Sequence, residues 1–286
     1  MEWQKKVVVI TGSSMGIGFQ LAREAGRRGA LVVINARNPN RLAQAEKTLV
    51  QEGIEVTAID GDIASWDICR QLMQRVMEKY GRIDALIHNA GVSTHGTVEE
   101  TDYRVMDRIM NTNFTGAVYL SKLAIPFLKK TGGNILFVSS VAGIHGLGGY
   151  SAYCTSKMAL TALAESLQAE LSTSGIYVGI AYVGFTENEP GKTILDPNGT
   201  PIPHPVRSLR KESREKVARR LLNMIDKERF KMVFSPLGKF TWILNRLSPS
   251  LVQLLIRLTY LKENGVRKIN LLPGVARRKY VSKKIQ

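Results

Sequence analysis

The chain predicts an α/β fold: a doubly wound parallel sheet flanked by helices, followed by a helical C-terminal extension. Three observations carry this. Short Val/Ile-rich runs alternate with helical stretches through the first two-thirds of the sequence. Those runs are almost continuously apolar, as strands covered on both faces are. The first of them runs straight into a glycine-rich turn that opens a helix. At 286 residues, the chain is long enough for one large domain with a sizeable core.

The elements follow in order. Val7–Ile10 reads as the first buried strand, 18–28 as a helix and Leu31–Asn35 as the second strand. Residues 41–51 are helical, Glu55–Asp60 is the third strand, 66–80 is helical and Ala85–His88 is the fourth strand. A long helical region spans 103–129, with Pro126 near its end. Asn134–Ser139 is the fifth strand, 151–171 the next helix and Tyr177–Val183 the sixth strand. Residues 188–205 hold five prolines and read as a long loop. A charged helix is expected over 208–227 and a last strand over Lys231–Phe234. Beyond it, Phe240, Ile243, Leu244, Leu247, Leu251, Leu254, Leu255 and Leu258 recur at helical spacing. Ser248-Pro249 divides this stretch into two amphipathic helices. The main domain is therefore read as 1–235, with a variable segment at 188–231, and the extension as 236–286.

Composition narrows the partners. Residues 206–286 hold 21 Lys/Arg against 5 Asp/Glu, while 1–205 hold 19 of each, so the whole net charge of +16 sits in the last part. That asymmetry points to an anionic partner. The basic segment has few aromatics for base stacking and no nucleic-acid motif, so nucleic acid is not expected. Lys/Arg interleaved with Trp, Leu and Ile instead suit an anionic membrane surface. No uncharged run approaches the roughly 18 to 20 apolar residues of a spanning helix, and no N-terminal signal pattern fits. Cys69 and Cys154 form no disulfide framework, and no residue cluster has metal-ligand spacing, so no metal is expected. A reducing cytoplasm, with peripheral membrane association, is the expected location.

Two motifs carry chemistry. In Thr11-Gly12-Ser13-Ser14-Met15-Gly16-Ile17-Gly18 the glycines allow a tight turn and close approach to a pyrophosphate. The helix that follows points free N–H groups at that phosphate. Gly12, Ser13, Ser14, Gly16, Ile17 and Gly18 are thus cofactor-site candidates. At the end of the second strand, where a carboxylate would select a ribose 2′-hydroxyl, stand Ala36 and Arg37. With no carboxylate there and a guanidinium beside it, NADP(H) is favoured, with Ser13 and Arg37 contacting the 2′-phosphate. The second motif is Tyr153-Cys154-Thr155-Ser156-Lys157, with Ser140 thirteen residues before Tyr153. Residues four apart share a helix face. An ammonium beside a phenol is expected to lower the phenol pKa and ready it for proton transfer. Ser140 is placed to hold the substrate oxygen.

Together these motifs resemble the short-chain dehydrogenase/reductase family over roughly residues 5–190, which implies a Rossmann-like sheet. The resemblance implies further assignments. Asp62-Ile63 would hold the adenine, and Asn89-Ala90-Gly91 would close the cofactor pocket. Asn113, in Asn113-Phe114-Thr115-Gly116, would bend its helix and hold a relay water beside Lys157. Ser140, Tyr153 and Lys157 would complete the catalytic set, Lys157 also binding the nicotinamide ribose. After the sixth strand the family's usual Pro-Gly is Val183-Gly184 here, so either Thr186 or Asn188 would contact the carboxamide. The implied reaction interconverts a ketone or aldehyde with an alcohol. An uncharged loop at 145–150 and the basic extension favour a lipophilic substrate, sterol-like or a long-chain keto-lipid. Two alternatives stay open: a reductase of a small polar carbonyl, and a non-catalytic NADP-binding regulator. A homodimer is expected, through the helices at 103–129 and 151–171.

Overall fold

The computed structural model describes residues 1–187, 189–204 and 211–263. Seven parallel strands form one sheet in the order β3-β2-β1-β4-β5-β6-β9. They are β1 (Val7–Thr11), β2 (Leu31–Ala36), β3 (Val56–Asp60), β4 (Ala85–His88), β5 (Asn134–Ser140), β6 (Tyr177–Val183) and β9 (Lys231–Val233). Every residue of β1 is buried, because its alternate side chains enter two different cores. Val7 and Val9 join the layer built on α3 (Trp66–Tyr80), α5 (Gly116–Thr131) and α6 (Ser151–Glu170). Val8 and Ile10 join the layer of α1 (Gly16–Arg27), α2 (Pro39–Gln51) and α7 (Arg214–Asp226). This double coverage is why the strands read as unbroken apolar runs. The order reverses between β1 and β4, and such a sheet opens a crevice at the carboxyl ends of those strands.

Local chemistry sets the helix starts. Asn38, Ser65 and Ser213 each accept a backbone N–H from the first turn of α2, α3 and α7. The helix expected over 208–227 therefore begins at Arg214, and residues 208–210 lie outside the described residues. The long region 103–129 is not one α-helix. It comprises α4 (Tyr103–Met110), a π-helical turn at Asn111–Thr115 and α5.

The proline-rich stretch read as a loop contains a hairpin. β7 (Thr193–Leu195) pairs antiparallel with β8 (Pro201–Pro203). Prolines are tolerated in such an isolated edge ribbon. Asp196 builds the turn, its carboxylate accepting the Asn198 and Thr200 N–H groups, and Gly199 takes φ +88°. Leu195 ties the hairpin to the loop after β4 through its N–H to the Ser93 carbonyl and its carbonyl to the His95 N–H.

The extension forms two helices, α8 (Pro236–Leu247) and α9 (Pro249–Glu263), divided at Ser248-Pro249. Their inner side meets the loop after β5. Gly238 lies against Val141, and Tyr260 lies so close to Gly148 that a Cβ there would sit 2.4 Å from its ring. Trp242 packs on the core with the Arg246 guanidinium 4.1 Å from its ring centre. Leu258 is half-buried. The outer face keeps Leu237, Phe240, Ile243, Leu247, Leu251, Leu254 and Leu255 exposed. No helix among the described residues is long and apolar enough to cross a membrane.

Candidate active site

A cavity of about 490 Å³ opens at the carboxyl ends of the strands, between the glycine turn and the hairpin. The turn is built for close backbone approach. Gly12 takes φ +63°, and a Cβ there would lie 2.6 Å from the Ala90 Cα. A Cβ on Gly18 would lie 2.3 Å from the Gly12 carbonyl oxygen and 2.4 Å from Asn89 Nδ2. Asn89 fixes the turn by donating from Nδ2 to the carbonyls of Thr11 and Gly12. Gly16, at the start of α1, takes φ +62°, and a Cβ there would meet nothing within 4 Å, because it faces open space. Its N–H donates to the Glu189 carboxylate at 3.0 Å. The first turn of α1 therefore already binds an anion, and the glycine cradle fits a pyrophosphate.

Most expected cofactor residues meet here. Gly12, Ser14, Gly16 and Ile17 form the floor, and Asn89, Ala90 and Gly91 the wall beside it. Arg37, Asp62 and Ile63 line the far end, and Gly184 and Thr186 the near one. Arg37 Nη1 is 3.5 Å from the Asp62 carboxylate, with both side chains substantially exposed. Gly18 acts by its smallness beneath the turn. Ser13 is the exception. Its hydroxyl is fully buried, donates to the Ile10 carbonyl at 2.7 Å and accepts the Asn35 N–H at 2.9 Å. A serine so committed joins β1 to β2 and does not reach a ribose phosphate. Asn188, the alternative to Thr186, lies outside the described residues.

The catalytic candidates converge as expected, with one change in their electrostatics. Ser140 ends β5, where its Oγ accepts the Ala142 N–H, and both Ser140 and Tyr153 line the cavity. Burial raises the Tyr153 pKa above the ordinary phenol value, and the Ser140 hydroxyl only partly opposes this. The expected lowering by Lys157 is absent in this state. Lys157 Nζ lies 5.9 Å from the Tyr153 ring centre and donates to the Val138 carbonyl at 3.0 Å. Burial, and next the charge of Lys192, pull the Lys157 pKa down to about 8.

Asn113 sits in the π-helical turn, a distortion that recurs at functional sites. Its side chain clamps Val92 from both ends: Oδ1 accepts the Val92 N–H at 2.7 Å and Nδ2 donates to the Val92 carbonyl at 2.9 Å. Its second amide hydrogen goes to Ser156 Oγ. A Cβ placed on Gly91 would lie 3.3 Å from Lys157 Nζ and 3.4 Å from Asn113 Oδ1. Glycine at this position leaves the ammonium and the amide oxygen uncrowded.

Several charged residues escaped the sequence reading: Arg41 and Lys192 line the cavity, and Glu189 and Arg214 pair beside it at the Gly16 N–H. Arg41, four residues past Arg37, lines the cavity with its guanidinium on the Met15 sulfur. Its nearness to Arg37 and the helix cap at Asn38 was the available signal. Glu189, Lys192 and Arg214 come from the variable segment and from α7, where no motif sets their register.

A family model, described as short chain dehydrogenase, matches residues 6–197. The chain belongs to the short-chain dehydrogenase/reductase family. It is 38% identical over 186 residues to 3-ketodihydrosphingosine reductase of Bos taurus, an alignment that spans 63% of this chain and 56% of that protein. The chain thus spans little more than half the length of that relative. A short-chain dehydrogenase/reductase of Burkholderia phymatum in complex with NAD shares the fold, with a TM-score of 0.77 at 22% identity over 88% of this chain and 96% of that one. A variant of actinorhodin polyketide ketoreductase with NADPH has a TM-score of 0.62 at 29% identity, covering 64% of this chain and 71% of the other.

Proposed function

We propose that the protein is an NADP(H)-dependent reductase of lipophilic ketones that works at an anionic membrane surface. The observation that carries the chemistry is the convergence of Ser140, Tyr153 and Lys157 on the wall of the cavity beside the glycine cradle. The substrate oxygen takes its place between the hydroxyls of Ser140 and Tyr153. A reduced nicotinamide held on the cradle supplies the hydride. As the carbonyl oxygen gains charge, Ser140 stabilises it with a hydrogen bond. Tyr153 then gives it its phenolic proton. The phenolate left behind is stabilised by the Lys157 ammonium in the same buried site. Asn113 keeps the loop after β4 in register with Lys157, and its Oδ1 retains one acceptor lone pair for a relay water. In the reverse direction Tyr153 accepts the proton from an alcohol.

NADP(H) is supported by Ala36 at the end of β2 and by the guanidiniums of Arg37 and Arg41 on the cavity wall, with the actinorhodin enzyme as the NADPH precedent. A lipophilic ketone is supported by Val141, Leu147, Phe185, Ile194 and Leu195 in the lining, and by the bovine relative's name. The exposed apolar face of α8 and α9 adjoins the cavity mouth through the Tyr260–Gly148 contact. We read 1–235 as the catalytic domain and 236–286 as its membrane-facing extension, in a cytoplasmic, peripherally bound homodimer assembled through α4, α5 and α6. One observation favours a polar carbonyl instead: Lys192 lines the same cavity close enough to affect Lys157. NADPH oxidation across ketones graded by chain length and polarity decides between them. Rates rising with chain length support the lipid reading, and rates confined to short polar ketones remove it.

A further inference from the structure

One oxygen of Glu189 is shared by two elements that are far apart in sequence. It accepts the Gly16 N–H at the start of α1. The same oxygen is ion-paired with Arg214, the first residue of α7. Gly16 N–H lies in the glycine cradle, at the positive end of a helix and on the wall of the cavity. A cofactor phosphate and the Glu189 carboxylate therefore compete for one donor. Arg214 carries a second signal, since its Nε is buried and unpartnered. A guanidinium presents a fork of donors, and a single carboxylate oxygen leaves part of that fork unused. A phosphate offers more acceptor oxygens.

We propose that Glu189 is an internal stand-in for the cofactor pyrophosphate and that Arg214 is a pyrophosphate ligand. When a dinucleotide binds, a phosphate oxygen replaces the carboxylate oxygen between Gly16 and Arg214. The guanidinium keeps an anionic partner throughout, and Glu189 is released with the turn it forms with Lys192, whose N–H donates to the Glu189 carbonyl at 3.0 Å. Arg214 then joins α7 to α1 through the bound cofactor, and the glutamate tunes cofactor affinity by competing for the site. This rests on the reading of the cavity as a dinucleotide site.

The test is calorimetric titration of wild type, Glu189→Gln, Glu189→Ala and Arg214→Gln with ADP-ribose, which carries the pyrophosphate, and with 2′-AMP, which lacks it. Thermal unfolding of each variant checks that it is folded. Both Glu189 variants should bind ADP-ribose several-fold tighter, because the competitor is gone. Arg214→Gln should bind it about tenfold or more weakly, having lost a charge-assisted contact. None should change 2′-AMP affinity by more than about twofold. If ADP-ribose affinity is unchanged in all three variants while wild type binds it, this inference is overturned and the dinucleotide site stands. Weaker ADP-ribose binding by the Glu189 variants overturns the competition. If wild type binds neither ADP-ribose nor NADPH nor NADH, the dinucleotide reading fails and this inference falls with it.

Discussion

Lys157 Nζ donates to the Val138 carbonyl oxygen at 3.0 Å, so the lysine proposed for catalysis is anchored on β5, the strand that carries Ser140. The bond fixes the ammonium in the interior, where burial lowers its pKa to about 8. The unfolded chain, with an ordinary lysine near 10.5, then binds more protons than the folded one between about pH 8 and 10.5. Stability attributable to this group should therefore be full above that window and fall as pH drops towards 8. The span corresponds to a cost on the order of 3 kcal/mol for the charged form. Comparing denaturant midpoints of wild type and Lys157→Met from pH 7 to 9.5 checks it. The difference between the two proteins should shrink as pH rises. A difference that is constant with pH would mean that the lysine titrates normally.

Arg37 is expected to set cofactor choice. Its ion pair with Asp62 is exposed, so it is weak and easily exchanged for a ribose phosphate. Wild type should bind NADPH about ten- to a hundredfold tighter than NADH, the value of a charge-assisted contact of roughly 1.5–3 kcal/mol. Arg37→Ala should lose most of that preference while leaving NADH affinity nearly unchanged. Fluorescence titration of both cofactors reads the ratio. If Arg37→Ala keeps it, Arg41 is the phosphate-reading residue.

Replacing Asn113 by Ala removes both bonds to the Val92 backbone and the one to Ser156. Buried groups left without partners cost about 1–3 kcal/mol each. Asn113→Ala should thus lose a few kcal/mol of stability along with its activity. Asn113→Asp should lose less stability, since its carboxylate still accepts the Val92 N–H. Chemical denaturation of the two variants gives the order. Equal stability for wild type and the Ala variant would contradict the clamp.

The exposed face of α8 and α9 should bind anionic vesicles at low salt and release them at high salt. Phe240→Glu with Leu247→Glu puts charge on two of its most exposed apolar positions, 61% and 79% accessible, so folding should survive. Sedimentation with vesicles should move the wild type into the pellet and leave the double variant in solution. Turnover of a water-soluble ketone should be equal in both. Wild-type protein that stays in the supernatant at low salt would favour the polar-substrate reading.

The order of strands and helices was legible because each buried strand carries a continuous Val/Ile run and each turn its glycine or cap. The glycine turn, Ser140, Tyr153 and Lys157 stood out by motif and spacing, Asn113 only through the family resemblance. Other features depend on tertiary contacts that spacing does not encode. Ser13 belongs to the glycine motif, yet its hydroxyl is consumed by Ile10 and Asn35 from a neighbouring strand. A bend at Asn113 was implied by the family resemblance alone, and the π turn there carries the side-chain bonds to Val92. The hairpin at Thr193–Pro203 was hidden by its prolines, although Asp196-Pro197-Asn198-Gly199 is a turn signal. Glu189 and Arg214 meet only because the variable segment folds back over α1.

The central claim is that Tyr153 gives the proton in a ketone reduction within this cavity. Its most direct test is the rate of NADPH oxidation with a long-chain keto-lipid in mixed anionic vesicles, for wild type and Tyr153→Phe, with NADPH affinity measured on the same samples. Deleting one hydroxyl while keeping the ring should leave NADPH affinity within about twofold. Turnover should fall by roughly 10²–10⁴-fold, the worth of a positioned general acid. A Phe variant that still turns over the ketone at more than about a tenth of the wild-type rate would contradict the assignment.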